Sequence, residues 1–153
     1  MKLINFIICD DIRTEINNKF SLIGVYSDTF NFIVPEKSAE KWPKIVHLGF
    51  YIRLGIENIE EVKNIGKLVL ESKINNKINF HAEQAYNVIV DGNNLRKQMV
   101  ISVVFEQVPI NDKGEMELSI SIFNKNDKLM ERFIYPGNIN VVVKGIPSEL
   151  ELE

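Results

Sequence analysis

From Ile45 to Ile56 the chain alternates without a break. Val46, Leu48, Phe50, Ile52, Leu54 and Ile56 share one parity, and Ile45, His47, Gly49, Tyr51, Arg53 and Gly55 share the other. Side chains on a β-strand point to opposite faces in turn, so the run predicts one long strand with a buried side. A strand with one dry and one wet face belongs to an antiparallel sheet, because strands buried on both faces are apolar throughout.

The rest of the chain reads as further short strands cut by turn residues. Leu3–Cys9 is an apolar run containing Asn5, and Asp10-Asp11 end it. Lys19–Ser27 and Thr29–Val34 follow, with Asn17-Asn18 suited to a left-handed reversal and Pro35 closing the second strand. Glu36–Trp42 is the predicted site of a short helix, stopped by Pro43. Asn58–Gly66 is a polar connection or a helical turn. Lys67–Ile74 alternates, Asn75-Asn76-Lys77 turns the chain, and Ile78, Phe80, Ala82, Tyr86, Val88 and Val90 keep one parity up to an Asp91–Asn94 turn.

Gln98–Val108 is densely apolar and predicts a central strand, followed by sequential hairpins as far as Tyr135. Met116, Leu118, Ile120 and Ile122 point inward, as do Leu129, Phe133 and Tyr135 on the next strand. Ile139–Val143 closes the series before an acidic tail at Glu149–Glu153. Roughly eight to ten strands with turn signals about 8–14 residues apart predict an all-β fold. The expected form is a single antiparallel β-sandwich domain over residues 1–153, immunoglobulin-like or C2-like in outline.

Composition narrows the partners. The net charge of -3 argues against nucleic acid, which calls for clustered Lys and Arg. No apolar stretch approaches the length that spans a bilayer, so a membrane is not an expected partner. Cys9 is the single cysteine, so no intramolecular disulfide can form, which fits a reducing cytoplasm. The short run before it is broken by Asn5 and lacks a small-residue cleavage site, unlike a signal peptide.

Several constellations are candidates for chemistry. Asp10 and Asp11 at a strand end, with Asp28, are the residues a Ca²⁺-binding or lipid-binding C2-like module would use. His47 and His81 both fall on outward parity, and Glu83 shares a face with His81, the one pairing suited to a small hydrolase or isomerase. Neither histidine has a recognisable nucleophile beside it. Burial and the following aspartates disfavour the Cys9 thiolate, so packing is its expected role. Trp42 suits a lid on the core. The row His47, Tyr51 and Arg53 is the best binding candidate, because Tyr and Arg are enriched at interface hot spots and Gly49 and Gly55 permit close approach. The alternative is a solvated outer sheet face, or one covered by the Glu36–Trp42 segment.

The stretch CDDIRTEINNKFSLIGVY, Cys9–Tyr26, resembles the N-terminal signature of a family of small bacterial proteins of unknown function. In that family a short apolar strand ends in a C/D-D-I/V-R segment, followed by N-K, an S-L-I-G run and Tyr. The resemblance implies an organising hairpin in which Asp11 and Arg13 brace the turn, and it implies no activity, cofactor or substrate. Taken together, these readings point to a non-enzymatic binding or scaffolding module in a bacterial cytoplasm, with a protein partner or a second copy of itself, and no catalytic, cofactor or metal residues.

Overall fold

The computed structural model describes residues 1–86 and 98–147. Val88, Val90, the Asp91–Asn94 turn and the Glu149–Glu153 tail lie outside the described residues. The alternating run forms β5 (Lys44–Gly55), the middle of a three-stranded antiparallel sheet. Its neighbours are β1 (Lys2–Cys9) and β8 (Gln98–Ile110). The prediction of a central strand over Gln98–Val108 is thus corrected, since β8 is the last described strand on its side. Its outward residues Val100 and Ser102 are exposed accordingly.

Facing this sheet is a six-stranded one, ordered β4 (Thr29–Pro35), β11 (Ile139–Ile146), β9 (Gly114–Asn124), β6 (Ile65–Ile74), β7 (Lys77–Ala85), with β10 (Leu129–Ile134) also on β9. The two inner faces meet to make one core. Leu48, Phe50, Ile52 and Leu54 of β5 are at most 1% exposed, as are Met116, Leu118, Ile120 and Ile122 of β9. Burying each such side chain contributes about 1.5–3 kcal/mol. The architecture is therefore an all-β sandwich. One pairing departs from the expected antiparallel pattern: β11 and β4 run parallel over Asn140–Ile146 and Thr29–Pro35.

Two more expectations change. Gln98–Tyr135 is not a series of hairpins, because the chain leaves β8 in one sheet and enters β9 in the other; only β9 and β10 form a hairpin there. The short α-helix is Ile59–Lys63, α1, not Glu36–Trp42. The Asn58 side chain caps α1 by accepting from the Glu60 N–H at 3.0 Å, and Glu60, Glu61 and Lys63 suit its dipole. Between Pro35 and Pro43 the chain closes i→i+3 turns instead, with Ala39 N donating to Glu36 O and Lys41 N to Ser38 O. The buried Lys44 ammonium donates to the Ser38 and Lys41 carbonyls and lies 5.2 Å over the Trp42 ring, which is half-buried at the edge of the core.

Two β-bulges break the sequence parity. The β6–β7 turn is left-handed at both Asn75 and Asn76, as a tight hairpin requires. Beyond it the register shifts between Ser72 and Lys73, which turns Ile78 outward to 63% exposure and buries Asn79. Asn79 donates to Ser72 Oγ and the Pro109 carbonyl and accepts from Asn111 N, so its amide joins the two sheets. A second bulge, between Leu129 and Glu131, leaves Leu129 at 51% exposure.

Candidate functional site

The outer face of the smaller sheet carries the His47, Tyr51 and Arg53 row. Part of it is covered by the chain, and the cover is not Glu36–Trp42. It is a hairpin of β2 (Asp11–Glu15) and β3 (Lys19–Ile23), turned by Ile16–Asn18 with Asn17 left-handed. The pairing sets Ile12 opposite Leu22 and Thr14 opposite Phe20, so these four share one face of the hairpin. Phe20 packs on Tyr51 with ring centroids 5.4 Å apart. Ile12 sits at Gly49, where an added Cβ would come within 3.1 Å of its Cγ1 and 3.0 Å of Cys9 Sγ.

The row therefore divides. Tyr51 is a packing residue under the hairpin. His47 is exposed at a bulge where Glu106 and Gln107 of β8 stand opposite it. Arg53, at the other end, pairs with Asn5 on β1 and Val100 on β8. Its guanidinium donates to Asn5 Oδ1 at 3.4 Å and to Gln98 Oε1, which ties it across all three strands. Around it Val100 and Ile4 remain 39% and 41% exposed. The hydrogen bonds of Arg53 run to β1 and β8 and not to the hairpin.

The residues of the signature hold the hairpin against the end of β1. Asp10 N donates to the Ile23 and Gly24 carbonyls, and Tyr26 N donates to Ile8 O at 2.9 Å. The Tyr26 hydroxyl donates to the Asp10 carboxylate. Gly24 is left-handed, and a Cβ there would fall 2.0 Å from Asp10 Oδ2, so only glycine fits. Burial, with the Asp10 carboxylate beside it, pushes the Tyr26 phenol well above its ordinary value. Asp11 accepts from Ile12 N at 2.9 Å and from Arg13 Nε at 3.3 Å on the exposed side of β2. The Asp10–Tyr26 bond was not read from the sequence; an Asp at a strand end and a Gly-x-Tyr closing the next strand are the only signal for it. Asp28 is occupied elsewhere, accepting from Ser27 Oγ and Thr29 Oγ1.

Among the described residues, no group of three or more His, Cys, Asp or Glu side chains is placed to hold a metal ion. Cys9 is buried, and burial followed by the charges of Asp10 and Asp11 pushes its thiol up. His81 lies on the outer face of the larger sheet, with Nε2 3.1 Å from Glu83 and Nδ1 3.5 Å from Glu71. Glu71 also meets Lys73 and Arg132, and Arg132 reaches Glu117 and the Ser119 hydroxyl. His81 and Glu83 thus sit in a lattice of paired charges on a sheet face. A cleft of about 390 Å³ opens between β7 and β8, lined by Leu68, Leu70, Tyr86, Val103 and Phe105 among others; Glu83 lines it and His81 does not.

The fold and this surface define an all-β sandwich whose smaller sheet wears a hairpin over part of its outer face. No protein-family model matches the sequence, and a search of curated proteins finds no match. Among the described residues no helix is long and apolar enough to cross a membrane.

Proposed function

We propose that the chain is a non-enzymatic binding module of the bacterial cytoplasm that takes a protein partner on the uncovered end of the smaller sheet. The observation that carries this reading is Arg53, held by Asn5 and Gln98 and flanked by exposed Val100 and Ile4. An arginine already fixed in one geometry loses little freedom on binding, and arginine is among the residues enriched at interface hot spots. The cytoplasmic part of the reading rests on the lone, buried Cys9.

Cross-linking in the native host, comparing the wild type with Arg53→Glu and Val100→Asp, tests it. A protein joined to the wild type and lost from both variants, with melting temperatures unchanged, supports the reading. The same cross-linked species in all three would sink it, as would none in any of them.

A further inference from the structure

We infer that β4 is a dimerisation edge, to which the β4 of a second copy of this chain adds antiparallel. Edge strands expose backbone donors and acceptors, and proteins blunt them with charges, bulges or proline. The other described edges follow that rule. β1 carries Lys2 and a bulge, β10 carries Glu131, Arg132 and a bulge, and both β7 and β8 hold charged residues and a register shift. β4 is different. Its sequence TFNFIVP contains no Lys, Arg, Asp or Glu, unlike every other described strand, and its register with β11 is unbroken. Its one proline comes last.

The free groups can be named. Asn140 N donates to Asp28 O at 2.8 Å. In a parallel ladder alternate residues turn both N–H and C=O to the same neighbour. Phe30, Phe32 and Val34 therefore face β11, and the backbones of Thr29, Asn31 and Ile33 face away, where the sheet has no further described strand. Ile33 is 67% exposed; Lys144 stands opposite it on β11, flanked by Val142 and Ile146, each 44% exposed.

An uncharged strand is matched by an uncharged strand, and within this chain that strand is β4 itself. A two-fold axis at Asn31 sets Thr29 opposite Ile33 of the second copy and pairs all three free residues, each pair exchanging both its N–H···O bonds. It leaves Pro35 outside the ladder. An axis at Phe32 would set Asp28 against Glu36 of the other copy, so the first register is the better one. This surface lies on the larger sheet and is independent of the Arg53 surface.

Sedimentation from micromolar to millimolar concentration tests the dimer, with Ile33→Lys, Asn31→Pro and, as a control on the other sheet, Ile45→Lys, at an exposed position of β5. Asn31→Pro removes an edge-facing N–H and keeps the β11 bonds. The expected result is twice the monomer mass for the wild type and Ile45→Lys, with association weakened at least about tenfold in the other two. Hydrogen exchange on the wild type gives a reading that no variant's folding affects: the Asn31 and Ile33 amides slow as concentration rises. A wild type that stays monomeric throughout overturns the proposal, and so does a dimer that leaves those two amides unprotected.

Discussion

The two sheets bury their inner faces against each other in the same way, yet protect their outer faces by different means. The smaller sheet is covered by a segment of chain, with Ile12 on Gly49 and Phe20 on Tyr51. The larger sheet is covered by its own long side chains. Val69 points outward from β6 yet is only 7% exposed, in a row between Glu83 and Ser121, and Ser119 is 3% exposed beneath Arg132. Long charged side chains can shield apolar surface in this way while keeping their charges in water. One cover is apolar packing in a fixed place, the other a lattice of exchangeable ion pairs. They should respond to different perturbations.

The largest effect is expected from forcing the hairpin off its sheet. Gly49→Val puts a branched side chain against Cys9 and Ile12 and is expected to cost about 3 kcal/mol, read from the urea midpoint. Phe20→Ala removes the ring on Tyr51 without overpacking and is expected to cost about 2 kcal/mol, less than a fully buried phenylalanine because Phe20 is half-buried. If both variants melt like the wild type, the hairpin is not a structural cover.

Tyr26→Phe probes the latch and is expected to cost about 1 kcal/mol at neutral pH. The folded phenol has a raised pKa, so the unfolded chain loses its proton first as pH rises. The latch's contribution is therefore complete below a pH of about 10 and lost above it as pH climbs toward the folded value. Tyr26→Phe should flatten the alkaline limb of a stability–pH curve. A limb of unchanged steepness would assign that loss to other groups.

The smallest effect belongs to the lattice. Arg132→Met is expected to cost about 0.5 kcal/mol, because partly exposed ion pairs contribute little and Lys73 and His81 still face Glu71. High salt should shrink that difference and leave the Phe20→Ala difference as it was. Equal salt sensitivity in the two variants would erase the distinction between the faces.

Legibility in the sequence divides along the same line. The dry parities of β5 and β9 were readable because a strand's two-residue period is local and each inner row is unbroken. The Asn17 and Asn75-Asn76 reversals were readable because left-handed backbone favours Asn. The bulges that expose Ile78 and Leu129 were not, since an inserted residue changes parity without changing composition. The fate of the His47, Tyr51 and Arg53 row was half visible. Its residue types suggested contact, but nothing local to β5 indicated that Phe20, far back in the sequence, would lie on Tyr51. The Glu71–Arg132 pairing was hidden for a similar reason, because it spans separate strands.

By itself the sequence determined an all-β chain, the inner side of its longest strands and where most of its turns fall, because periodicity and turn chemistry act between near neighbours. Only the tertiary structure decided which strands lie at edges, that β4 and β11 run parallel, and that the hairpin packs on Tyr51 while Arg53 is tied to Asn5 and Gln98. Those outcomes depend on contacts between distant segments, and a two-residue period carries no record of them.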